Sequence, residues 1–182
     1  MTRRLFALVL LALLAGCRAS GPNSQALTVA QFFNKYQGRE GFKTTDWSAG
    51  LLQRLTLVKA AKLLGGSELT DAITSIRSAK VITFAPTTAA ARALAQQGLR
   101  QEAANVLQSQ KYEPLSTGST AGSDYQISVR AHGDNVSEFA AVGTLPDAAD
   151  SFVMVAVDGS FTRAQVTTLA KYLPQIVQAA GR

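Results

Sequence analysis

The sequence predicts an α+β fold: a single layered domain with helices packed on a mainly antiparallel sheet and a C-terminal β-β-β-α unit. Two observations carry this expectation. Residues 125–157 hold three strand patterns joined by stretches too short for a crossover helix, so neighbouring strands must run antiparallel. Apolar residues recur at helical spacing through most of the remaining chain, and such amphipathic helices need a sheet to bury against. The size agrees, because 182 residues at 47% hydrophobic and 16% charged fit one modest domain. That composition is too apolar for a disordered chain, and one Cys excludes a disulfide scaffold.

Taken in order, residues Ala26 to Tyr36 form a helix candidate, with Leu27, Ala30 and Phe33 apolar and Phe32 or Tyr36 close by. Gly38 to Gly41 ends it, and Phe42-Lys43-Thr44-Thr45 reads as a short strand. Asp46 is placed to cap a helix starting at Trp47, whose Leu51, Leu55 and Val58 make an apolar stripe widened by Leu52 and Leu63. Gly65-Gly66 stops that helix. Ser67, with Glu68 and Asp71 in the first turn, starts another with Leu69, Ile73 and Ile76 on its apolar side.

Val81 to Phe84 reads as a strand closed by Pro86, after which Thr87 can cap a long Ala-rich helix to about Gln110. Its expected inward residues are Ala90, Leu94, Val106 and Leu107, and Gly98 is its weak point. Tyr112 to Ser123, rich in Ser, Thr, Gly and Pro, is a loop or an irregular edge. Tyr125, Ile127, Val129 and Ala131 then alternate with Gln126, Ser128 and Arg130, the pattern of a half-buried antiparallel strand. A turn at residues 132–135 links it to Val136–Val142, and residues 145–150 make the next connection. Phe152 to Val157 is continuously apolar and suits a central strand ended by Asp158-Gly159. Thr162 and Gln165 match a capping box for a last helix carrying Val166, Leu169, Leu173 and Ile176, which Pro174 should kink or split.

The N-terminus is built differently. Arg3 and Arg4 precede an unbroken apolar run from Leu5 to Leu14, half of the ~20 residues a membrane span needs but the length of a signal-peptide core. The stretch Leu13-Leu14-Ala15-Gly16-Cys17 follows at once and resembles the bacterial lipoprotein box. The resemblance implies cleavage before Cys17, with Leu13, Leu14, Ala15 and Gly16 read by the peptidase and the Cys17 thiol carrying a thioether-linked diacylglycerol. The bland alternative is a short buried helix or uncleaved anchor with an incidental cysteine; Cys17 has no second cysteine to pair with.

Residues 1–16 are therefore expected to be a signal peptide, 17–25 the lipidated N-terminus and a polar tether, and 26–182 one α+β domain. Removing 16 of 182 residues leaves 166, and losing Arg3 and Arg4 lowers the formal charge from +6 to +4. Two or three acyl chains anchor stably where one is marginal. Arg18 after the cysteine implies, by resemblance to the enterobacterial sorting rule, the outer membrane with the domain facing the periplasm.

Residues able to carry chemistry are sparse. His132, the only histidine, lies near Asp134 and Glu138, a set able in principle to hold a divalent metal or move protons. The same residues equally describe a polar hairpin turn. No Gly-Ser pair completes a nucleophile elbow, and no glycine pattern makes a phosphate cradle, so no cofactor is expected. Lys35, Arg39, Lys43, Arg54, Lys59, Lys62, Arg77 and Lys80 are dispersed rather than focused, which argues against a nucleic-acid partner.

Laid in order, Phe42 through Phe84 joins a Leu-rich helix to a short helix and strand. Gly133-x-x-x-x-Glu138-Phe139 then leads through a strand to Phe152–Asp158-Gly159-Ser160 and a terminal helix. This arrangement resembles the bacterial domain of unknown function 4252 over roughly Val29 to Leu173. The resemblance implies a single domain in a secreted or lipoprotein-like chain and brings no catalytic set. The expected function is a membrane-anchored cell-envelope lipoprotein with a non-catalytic binding or scaffolding role. Its partners would be the lipid bilayer, through acyl chains on Cys17, and another envelope protein. The alternatives are a small-ligand carrier with a pocket between the helical layer and the strand meander, or a hydrolase or metal-dependent enzyme using His132, Asp134 and Glu138.

Overall fold

A six-stranded, wholly antiparallel sheet organises the chain, and helices cover both of its faces. The computed structural model describes residues 25–48, 66–120, 123–145 and 148–180. The elements are α1 (Val29–Tyr36), β1 (Phe42–Ser48), α2 (Gly66–Thr74), β2 (Ile76–Phe84), a helix made of α3 (Ala89–Ala93), a π-helical turn (Leu94–Leu99) and α4 (Arg100–Ser109), then β3 (Glu113–Thr120), β4 (Ser123–His132), β5 (Asn135–Leu145), β6 (Ala148–Thr162), α5 (Arg163–Lys171) and α6 (Leu173–Ala180). The strand order is β1-β2-β6-β5-β4-β3, so the meander β3 to β6 closes against the β1–β2 pair. The β-β-β-α unit expected at the C-terminus is β4-β5-β6-α5.

The apolar run Phe152–Val157 lies in β6, between β2 and β5, and alternation sends its side chains to opposite layers. Val153, Val155 and Val157 pack with Leu69, Ile73, Val166, Leu169, Leu173 and Val177 of α2, α5 and α6. Phe152 and Met154 face the other way, against Phe32, Phe33 and Tyr36 of α1 and Leu99, Ala103 and Val106 of the long helix. Full burial of such side chains contributes about 1.5–3 kcal/mol each. A strand covered on both sides must be apolar at every position, which is why it shows no alternation.

Several local expectations hold. Thr162 and Gln165 form a reciprocal capping box on α5, and the chain breaks between α5 and α6 beside Pro174. Gly133, at φ 63°, takes the first central position of the two-residue turn between His132 and Asn135, where a type II′ hairpin requires a positive φ. The edge alternative for 112–123 is realised as β3, with a register shift between Pro114 and Ser116.

Others are corrected. Asp46 does not cap a helix at Trp47: both lie in β1, where Trp47 is buried against the sheet core, and the proposed Leu51–Leu63 stripe falls outside the described residues. Thr28 and Gln31 form a capping box that starts α1 at Val29, so Leu27 precedes the helix and is 66% exposed. Ile76 opens β2 instead of closing α2. Thr88, not Thr87, caps the long helix through Ala91. Ala90 and Leu94 face outward there, and Ala95 and Leu99 face inward. Buried positions at 95, 99 and 103 step by four residues, a spacing that drifts about 40° per step on an α-helix. The wider π-helical turn offsets part of that drift and keeps the stripe on the sheet.

Asp158-Gly159 does not end β6: β2 pairs with it as far as Gly159, and β5 pairs with its continuation to Thr162. Gly159 marks a close backbone approach: a Cβ on it would sit 2.4 Å from the Ser75 carbonyl oxygen and 2.3 Å from the Phe161 ring. At the other end, Ala148 already pairs with Leu145, so the expected 145–150 connection is shorter than its sequence suggests.

Candidate functional site

An open concavity lies on the α1/α4 side of the sheet. It is a groove of about 1030 Å³ lined by the π-helical turn, the start of α4 and Gln126 of β4. Gln96, Gln97, Gly98, Arg100, Gln101 and Asn105 line it from the helix, joined by Gln25 and Lys35 from the start of the domain. π-Helical turns are rare and recur at functional sites. Here the turn carries Gly98 and a 40% exposed Leu94, whose Cδ1 would lie 3.0 Å from a Cβ at Gly98. The Arg100 Nε is buried and has no hydrogen-bond partner among the described residues.

Beside the groove, Glu102 of α4 gathers four donor contacts. Lys35 Nζ donates at 2.8 and 2.9 Å, the Tyr36 hydroxyl at 2.6 Å and the Ala26 amide at 2.8 Å. Burial alone would raise this carboxyl's pKa. The hydrogen bonds from Lys35, Tyr36 and Ala26, with the Lys35 charge, outweigh burial and hold it below the usual carboxylate value. Tyr36 moves the opposite way: burial, then the hydrogen bond to Glu102, push its phenol well above the ordinary range. The same helix end binds the incoming chain twice more, the Ser109 hydroxyl donating to the Leu27 carbonyl at 2.8 Å and Gln110 Oε1 accepting from the Val29 amide at 2.7 Å. Residues 26–29 are thereby clamped to α4.

A second carboxylate cluster sits on the same side of the sheet. Glu138 of β5 stands opposite Arg130 of β4 and accepts from its guanidinium, and from the Tyr112 hydroxyl at 2.6 Å. Arg130 also lies over the Tyr112 ring, 5.7 Å from its centroid. Tyr112 reaches this position through a Schellman ending of α4. Its amide donates to the Leu107 carbonyl at 2.9 Å and the Lys111 amide to that of Gln108 at 3.0 Å, with Lys111 itself at φ 59°. Burial, the hydrogen bond to Glu138 and that carboxylate's charge raise the Tyr112 pKa well above normal, against an opposing pull from Arg130.

Of the sequence-singled residues, His132 and Asp134 flank Gly133 at the exposed tip of the β4–β5 hairpin. His132 borders a cleft of about 560 Å³ with Arg77, Arg130 and Ser160, and Arg77 pairs with Asp158 at 2.8 Å. Glu138 lies further down the hairpin, engaged by Arg130 and Tyr112. Among the described residues no three His, Cys, Asp or Glu side chains gather where a metal ion would fit. Cys17 and the stretch Leu13, Leu14, Ala15 and Gly16 lie outside the described residues.

Sequence reasoning passed over Lys35, Tyr36, Arg100, Glu102 and Tyr112. The polar side of β4, read as solvent-facing, partly lies under the helical layer: Ser128 is buried, Arg130 is half-buried and Gln126 borders the groove. A usable signal was the carboxamide density of the long helix, with Gln96, Gln97, Gln101 and Asn105 within ten residues.

An antiparallel sheet enclosed by helices on both faces defines an α+β domain. The chain belongs to the family described as domain of unknown function DUF4252, whose model matches residues 36–169. No curated protein and no solved structure matches the chain.

Proposed function

We propose that this protein is a cell-envelope lipoprotein, anchored through acyl chains on Cys17, whose folded domain binds a partner or ligand rather than catalysing a reaction. The ordered series of Arg3-Arg4, the Leu5–Leu14 run and the Leu13–Cys17 box is the observation that carries this reading. The clamp on residues 26–29 fits it physically: a tether pulling on the domain would pull on Glu102, Ser109 and Gln110 rather than on a frayed end. Nine peptide units separate Cys17 from Ala26, so the domain would stay within roughly 30 Å of the lipid surface. Arg18 favours the outer membrane, with the domain in the periplasm.

Intact-mass analysis of protein extracted from membranes tests the anchor. The expected mass is residues 17–182 plus diacylglycerol and an amide-linked acyl chain. A chain that retains residues 1–16, or has an unmodified Cys17, overturns the proposal. For the binding role, the groove is the supporting observation: its open lining, rich in carboxamide side chains, suits a hydrogen-bonding ligand better than a sequestered apolar one.

A further inference from the structure

The groove's chemistry narrows what would bind there. Its lining contains two cations and one carboxylate, and they are not equivalent. Lys35 is spent on Glu102, with both side chains largely buried at 16% and 11% exposure. The Arg100 Nε has no hydrogen-bond partner among the described residues and is shut away from water. A guanidinium in the groove's lining with no carboxylate paired to it among the described residues favours an anion, which can take its outer N–H donors in a charge-assisted pair. One uncompensated charge suits a monovalent carboxylate, which the guanidinium fork matches in shape; a phosphate dianion would call for a second free cation.

Around Arg100 the groove offers carboxamides. Gln97 and Gln126 line it from the helix and from β4, and so do Gln101 and Asn105, with Gln101 donating to Asn105 at 3.0 Å. A primary amide presents both a donor and an acceptor, the complement of a peptide bond. Sugars and bases gain most from an aromatic platform, and no aromatic side chain is among the described lining residues.

We propose that this groove binds a short peptide segment by its terminal carboxylate, with Arg100 as the anion partner and Gln97 and Gln126 holding the peptide backbone. The proposal rests on the binding reading above and gives it a site and a ligand class. The groove's position beside the clamped residues 26–29 would keep such a ligand near the tether's exit.

Isothermal titration of the full-length protein with N-acetyl-tetra-alanine, as the free acid and as the C-terminal amide, tests it. The probe has no charged side chain, so any difference belongs to the terminal carboxylate. The free acid is expected to bind about tenfold more tightly than the amide. Arg100→Gln should lose about that factor and the discrimination with it, whereas Gln126→Ala should weaken both ligands alike by a few fold. His132→Ala, at the hairpin tip, should change neither. Equal affinity for acid and amide in the parent protein overturns the proposal without recourse to any variant. So does absence of binding by the acid, or an Arg100→Gln protein that melts normally and still discriminates. The anchor is read separately: acyl mass on Cys17 with no peptide binding removes this inference alone, and peptide binding with an unmodified Cys17 removes the anchor alone.

Discussion

The two glutamate clusters use the same three parts, a carboxylate, a tyrosine hydroxyl and a basic side chain, and do different work. Glu102 joins segments 66 to 76 residues apart, tying α1 and the residues before it to α4. Glu138 joins near neighbours, Arg130 eight residues away on the paired strand and Tyr112 at 26. Exposure differs too: the Lys35–Glu102 pair is 16% and 11% exposed, whereas Arg130 and Glu138 are at 41% and 25%. The sheet would hold Arg130 beside Glu138 without their attraction. Nothing else described holds the Ala26 amide against α4 as Glu102 does. A charge pair matters most where it replaces backbone pairing, not where it decorates it.

Breaking Glu102 should therefore have the largest effect. Glu102→Ala leaves the Lys35 ammonium, the Tyr36 hydroxyl and the Ala26 amide without their acceptor, and about 3 kcal/mol of stability should be lost in urea melts. Hydrogen exchange should show residues 26–36 opening well before the sheet. If the loss instead equals that of Glu138→Gln, expected at about 1 kcal/mol because that pair is partly hydrated, the contrast between the clusters fails.

Acidification separates them by sign. The Glu102 pKa is lowered on folding from 4.5, so its contribution is complete above about that pH and is lost as pH falls through the depressed folded value. Glu102→Gln should flatten the acid limb of the stability curve. Alkali acts on the tyrosines: their folded pKa values are raised above 10.0, so stability is complete below about pH 10 and falls as pH climbs further. Tyr112→Phe should reduce that alkaline loss and leave the acid limb unchanged.

The smallest effect is expected at the turn that delivers Tyr112. Lys111 holds a left-handed conformation that costs a residue with a Cβ about 1 kcal/mol. Lys111→Gly should raise stability by a few tenths of a kcal/mol after the flexibility glycine adds to the unfolded chain. A clear loss would mean that the Lys111 side chain supports the Glu138 cluster in a way the backbone geometry does not account for.

Local signals read well wherever their partners were close in sequence. The capping box at Thr162, the Gly133 hairpin, the break at Pro174 and the β4–β5–β6 order all follow from contacts within a few residues or one turn. Errors gathered where distant elements compete for a segment. Asp46-Trp47 has the form of a helix start, but pairing with Lys80 and Ala79 of β2 draws both into a strand. Asp158-Gly159 has the form of a turn, and pairing on both sides carries β6 through it. Leu94 has the composition of a core residue, and a π-helical turn gives the inward position to Ala95. The groove was least legible of all, because glutamines, one arginine and a strand's polar side acquire meaning only when placed together.

By itself the sequence determined the α+β class, the antiparallel C-terminal meander and the central place of Phe152–Val157. These are consequences of periodicity, turn chemistry and apolar content, all carried by adjacent residues. Only the tertiary structure decided that both faces of the sheet are covered, that Glu102 fastens the start of the domain, and that the Arg100 Nε has no partner among the described residues beside the groove. Burial and charge compensation depend on what packs from far along the chain, and no local pattern encodes that.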